Sequence, residues 1–165
     1  YARDMFLFSF YTRGMSFIDM AYLKKSDLKN GIITYRRRKT GQQLTVKWEK
    51  CMEDIIAKYR ENTATRYLLP IITNPCSDER TQYRNAICRI NVALKDVAGL
   101  AGLDIPLTMH VARHCWASVA KSKNIPLSVI SEGMGHDSEE TTRIYLASLD
   151  TSVVDKANSL ILKDF

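Results

Sequence analysis

Cysteine and proline are scarce in this 165-residue sequence, with four of each. Cys51, Cys76, Cys88 and Cys115 show no C-x-x-C spacing, which argues against a zinc module or a dithiol redox motif. Hydrophobic neighbours around Cys88 and Cys115 point instead to buried free thiols in a reducing cytoplasm. No apolar run approaches the roughly 20 residues of a membrane-spanning helix, and no signal-peptide pattern opens the chain. Neither a P-loop nor a carboxylate cluster suited to Mg²⁺ is present, so no cofactor or metal is expected. His110 and His114 are four apart and could share a zinc face. Val111, however, stands where H-E-x-x-H requires glutamate. Internal repeats and low-complexity stretches are lacking as well.

What is there describes an ordinary globular chain. Hydrophobic residues make up 45% and charged residues 25%, and the length supports one domain, residues 1–165, with a real core. The chain opens at Tyr1-Ala2-Arg3-Asp4 without methionine, as a fragment of something longer would. A net charge of +6 permits a polyanionic partner without requiring one.

Periodicity divides the chain into helices around one small β region. Met5, Phe6, Leu7, Phe8 and Phe10 predict a buried helix over 4–11 that Gly14 ends. A second short helix over 16–23 turns Phe17, Met20 and Leu23 inward. Residues 32–35 and 44–46 read as strands joined by a turn at 39–42. Helices follow at 49–59 and 79–101, separated by a proline-bearing loop with a short extended piece at 67–72. From 109 to about 121 the period is helical again, with Thr108 as N-cap. Met109, Ala112, Trp116, Val119 and Ala120 fall on its apolar face, and His110, Arg113, His114 and Ala117 on the other.

The polar face of that helix holds the first chemical signal. His110 and Arg113 lie one turn apart and can converge on a single anion. By itself such a pair is as easily the solvated side of a core helix. Downstream, Pro126 opens a helix that Gly133 and Gly135 close, and His136 follows at once. Ser138, Glu139 and Glu140 then start a short helix that carries Tyr145 about two turns on. A lone tyrosine means nothing, but His-x-x-Arg, then Met134-Gly135-His136, then Tyr145 is a specific order.

In that order the chain resembles the C-terminal catalytic domain of the tyrosine recombinases, the phage-integrase type, and within them the integrases of conjugative and other mobile elements. The resemblance implies a mainly α fold with a small antiparallel β-sheet (α+β). It also implies a site-specific recombinase that cleaves and rejoins DNA through a 3′-phosphotyrosyl intermediate. Tyr145 would be the nucleophile, Arg113 a phosphate ligand, His110 the general base and His136 a further phosphate donor. Lys39 matches the hairpin lysine that protonates the leaving oxygen, the favoured reading over a solvated run, Arg36-Arg37-Arg38-Lys39, that holds DNA only by charge. Double-stranded DNA would be the partner, with a tetramer on DNA and a monomer when isolated. The N-terminal core-binding and arm-binding domains would be absent. The tail at 148–165, with Val153, Val154, Ala157, Leu160 and Ile161 on one face, would dock on a neighbouring protomer or fold back on its own core.

One position departs from the pattern. Aligned through Asp19 and Lys25-Ser26-Asp27-Leu28, the family's first arginine falls on Ser16, which cannot offer a charged fork to a phosphate. Arg13 could enter the same space from the preceding turn. Arg37, two before Lys39, would point to the same side as that lysine along a strand, and is the slightly favoured substitute. The broken pattern leaves two further readings open: a DNA-binding module of the same fold that no longer cuts, and a related topoisomerase needing no defined site.

Overall fold

A computed structural model describes residues 1–62 and 65–147. The tail expected to carry the docking helix lies outside the described residues. The chain divides into two compact units, 1–116 and 117–165.

The first unit contains α1 (Ala2–Tyr11), α2 (Phe17–Ala21), β1 (Leu28–Lys29), β2 (Ile32–Arg36), β3 (Gln43–Lys47), α3 (Lys50–Ala57), α4 (Glu79–Leu100) and the start of α5 (Met109–Ser122). Helix α1 packs on both α3 and α4, so its aromatic run is enclosed: Met5 and Phe8 have no exposed surface. Along α4 the four-residue spacing of Ala86, Ile90, Leu94 and Ala98 gives one fully buried stripe. Burying Ile90 and Leu94 stabilises by about 1.5–3 kcal/mol each, and the small Ala86 and Ala98 on the same stripe let the helix pack closely at either side of them.

The sheet is antiparallel in the order β1-β2-β3. The β2–β3 hairpin agrees with the sequence reading, with Ile33 opposite Val46 and Tyr35 opposite Leu44. Strand β1 was not foreseen, because two residues are too few to display alternation. The expected extended piece at 67–72 pairs only at Tyr67, which bridges to Lys24, while Leu68 donates its N–H to the Leu23 carbonyl at 2.8 Å.

The second unit holds the remainder of α5, then α6 (Leu127–Met134) and α7 (Glu139–Ala147), which pack on each other. Gly135 ends α6 in the left-handed region, at φ 64° and ψ 45°. There the His136 N–H reaches back to the Ser131 carbonyl at 3.0 Å, so the backbone of His136 is tied to the helix end. Ser138 Oγ accepts from Thr141 N–H at 3.2 Å and starts α7 as expected.

Two expectations are corrected. Helix α5 is rotated relative to the face assigned from sequence: Ala117 is fully buried and Arg113 is 7% exposed, whereas Val119 is 41% exposed. The buried stripe therefore runs through 109, 112, 113, 117 and 120, and takes in a guanidinium that sequence pattern alone places outside. The cysteines are free, but none is buried; Cys76 and Cys88 are exposed, and Cys51 and Cys115 half-buried. Cys88 sits on α4 away from the stripe at 86, 90 and 94, so its apolar sequence neighbours do not enclose it.

Candidate functional site

Arg113 is nearly buried, at 7% exposure. Its Nη1 donates to the Gly14 carbonyl at 2.8 Å, joining α5 to the turn after α1. Gly14 is at φ +74°, and a Cβ there would come within 2.8 Å of Arg113 Cα. Only glycine permits both the turn and the approach.

Around Arg113 the structure gathers groups from three distant stretches. Arg37 is 8% exposed and Tyr35 9%. The Tyr35 phenol is pushed well above its usual range, first by burial and then by Asp19; Arg37, Arg113 and Arg13 act on it in the opposite direction. All three arginines are thus within electrostatic range of one buried phenol. Arg13 is half-buried and has a positive φ of 61°, in the same turn that supplies Gly14.

The hairpin differs in detail from the sequence reading. Strand β2 ends at Arg36, and Arg37 closes the turn instead, its N–H donating to the Gln42 carbonyl at 2.9 Å and its own carbonyl accepting from the Gly41 N–H at 2.8 Å. Arg37 continues the inward set of Ile33 and Tyr35, while Lys39 is exposed on the turn itself. The two do not share a strand face, because the strand geometry stops before either is reached.

Ser16 has another task. It caps α2, its Oγ donating to Asp19 Oδ2 at 2.6 Å and accepting Asp19 N–H at 3.3 Å. Asp19 is buried, and its other oxygen accepts the Arg38 N–H at 2.8 Å, tying α2 to the hairpin turn. Sequence reasoning used Asp19 only for alignment. An aspartate three residues after a serine at the start of a helical period was the available signal.

His110 is exposed at the start of α5. Partial desolvation, then the Arg113 and Lys39 charges, lower its pKa from 6.5. Its ring packs edge-on to His114 at 4.4 Å, and His114 is lowered for similar reasons: burial, His110, then Arg113. Both shifts favour the neutral imidazole over the charged one. Among the described residues no group of three His, Cys, Asp or Glu is placed to hold a metal ion.

In the second unit His136 and Tyr145 meet. Their ring centroids are 5.5 Å apart at an interplanar angle of 69°. His136 Nδ1 lies 2.7 Å from Thr142 Oγ1, a contact sequence reading missed although Thr142 and Tyr145 are one turn apart on α7.

A profile of the family described as "Phage integrase family" matches residues 2–152. The chain belongs to that family. Among solved structures, this phage-integrase-family chain is similar to the XerA recombinase (21% identity, TM-score 0.64, covering 96% of this chain and 60% of that one). It is also similar to a lambda integrase dimer bound to a COC' core site (19% identity, TM-score 0.61, covering 88% and 51%). A third likeness is to the XerH site-specific recombinase bound to palindromic difH substrate in a post-cleavage complex (21% identity, TM-score 0.65, covering 96% and 45%). The chain thus spans 45% to 60% of the length of these proteins. No curated protein sequence matches it. The fold is that of the tyrosine recombinase catalytic domain: seven α-helices among the described residues and a three-stranded antiparallel sheet. No described helix is long and apolar enough to cross a membrane.

Proposed function

We propose that the chain is the catalytic portion of a site-specific DNA recombinase that cuts and rejoins strands through Tyr145. Two nearly buried guanidiniums, Arg113 and Arg37, carry this reading. Cations taken out of water and held near one another suit an anionic ligand whose charge grows during reaction.

In the proposed step the Tyr145 phenolic oxygen attacks the scissile phosphorus, forming a P–O bond as the bond to the 5′ oxygen breaks. A phenol of pKa near 10 is a poor nucleophile until its proton is taken. Neutral His110 accepts that proton. Arg113 and Arg37 bind the non-bridging oxygens, His136 donates one more hydrogen bond to them, and Lys39 gives a proton to the departing 5′ oxygen. Arg37 takes the place of the guanidinium that Ser16 cannot supply, with Arg13 as the second candidate. The phosphotyrosyl link retains the energy of the phosphodiester, so a second 5′-hydroxyl can attack it and release Tyr145. The partner is double-stranded DNA, on which protomers assemble as a tetramer, the isolated chain being a monomer in the cytoplasm.

A nicked suicide DNA substrate tests the proposal. A denaturant-resistant protein–DNA adduct that Tyr145→Phe abolishes is the expected result. DNA binding without any adduct overturns it in favour of a non-cleaving DNA-binding module, the reading that Ser16 at the first arginine position favours.

A further inference from the structure

Thr142 is the one fully buried polar side chain of α7, with no exposed surface. Its backbone N–H reaches the Ser138 carbonyl at 3.4 Å, within the first turn of the helix. Among the described residues the only hydrogen-bond partner of its hydroxyl is His136 Nδ1, at 2.7 Å.

That isolation decides which atom donates. A threonine hydroxyl has a single proton, and a buried O–H with no acceptor is costly, about 1–3 kcal/mol. Were Nδ1 protonated and donating to Oγ1, the hydroxyl proton would have nowhere to go inside the fold. If Oγ1–H donates to Nδ1, both groups are satisfied and the ring proton must sit on Nε2. We infer that Thr142 is a positioning residue that holds His136 as the Nε2–H tautomer and thereby presents a hydrogen-bond donor on the ring edge away from α7.

The geometry adds orientation to tautomer. His136 is held at its backbone by the α6 terminus, through the 3.0 Å bond to Ser131. Thr142 holds its ring, and one turn further along α7 Tyr145 packs against that ring edge-on at 5.5 Å. One hydroxyl thus locks a donor and the phenol-bearing helix together, in the way that outer partners fix ligating histidines in metal sites. The inference rests on the proposed phosphate contact of His136 for its purpose, but the tautomer is observable without any DNA.

The test is two-bond ¹H–¹⁵N correlation NMR on the labelled 165-residue chain, which has three histidines, with His136→Gln identifying the relevant signals. The expected pattern in the unaltered protein is an unprotonated, hydrogen-bonded Nδ1 and a protonated Nε2. Thr142→Val, of the same shape without the hydroxyl, moves the Nδ1 signal downfield as its hydrogen bond is lost; Thr142→Ser restores it. On the suicide substrate Thr142→Val slows adduct formation on the order of 10²-fold, and Thr142→Ser recovers most of it. A proton on Nδ1 in the unaltered protein overturns the inference even if Thr142→Val fails to fold. So does an unchanged Nδ1 signal in a folded Thr142→Val, or a changed signal with undiminished adduct formation. Absence of adduct in the unaltered protein, with the expected tautomer in place, counts against the recombinase reading and leaves the tautomer assignment standing.

Discussion

Arg113 and Gly14 are ninety-nine residues apart in sequence and in direct contact: a guanidinium N–H meets a carbonyl at 2.8 Å, with no room for a side chain between the two backbones. The loop after α1 is therefore part of how Arg113 is held.

Gly14→Ala tests that relationship. The new Cβ would be 2.8 Å from both Cα and Cγ of Arg113, at a backbone φ of +74° that alanine resists. The expected cost is about 1–3 kcal/mol, read as a lowered urea midpoint with an unchanged slope. A midpoint equal to that of the parent would mean that the approach is looser than described.

The substitute for the missing arginine is tested by pairing two variants. Arg37→Ala should reduce adduct formation on the order of 10²- to 10³-fold, the usual loss when one donor to a developing anion is removed. Arg13→Ala should reduce it much less, because Arg13 lies half-exposed on its turn. Comparable rates for Arg37→Ala and the parent, with Arg13→Ala inactive, would reverse the assignment.

The His110 titration is tied to its neighbours. Desolvation acts first, followed by Arg113 and Lys39, to hold it below 6.5. Lys39→Met removes one of those two cations, so the NMR midpoint of His110 should move up toward 6.5. A fixed or falling midpoint would disconnect the two. Linkage gives a second reading of the same shift. His110 and His114 both bind protons less readily when folded, so the unfolded chain takes up more protons below about 6.5 and stability falls as pH drops through that range. Thermal melts at pH 7.5 and 5.5 should show the decline, and it should shrink in a His110→Gln, His114→Gln double variant.

The rotated face of α5 is testable at two neighbouring positions. Ala117 is fully buried, so Ala117→Asp places a charge where water does not reach and should cost about 3 kcal/mol or more. Val119 is 41% exposed, and Val119→Lys should change stability by less than about 0.5 kcal/mol. The opposite ranking in a denaturation series would restore the face read from sequence.

Much of the architecture was legible because periodicity is local. The long helix came out within a residue at each end, since Tyr83, Ile90, Leu94 and Val97 repeat at helical spacing over about four turns. The β2–β3 hairpin and the Ser138 cap were equally local. The errors occurred where burial depends on what a helix meets. Val119 and Ala117 exchanged places because a small residue and a β-branched one look alike to a pattern until a neighbour selects between them. Cys88 was misplaced for the same reason.

Chain order alone carried the family and the chemical types of the candidate residues, because His110, Arg113, His136 and Tyr145 stand at characteristic intervals along one strand of text. It also exposed the gap at Ser16. Folding decided which cations lie together: Arg113 turned inward onto Gly14, and Arg37 was drawn under the hairpin turn beside Tyr35. Folding also brought the Thr142 hydroxyl within 2.7 Å of the His136 ring. Those choices depend on contacts between residues far apart in the chain, and no local period encodes them.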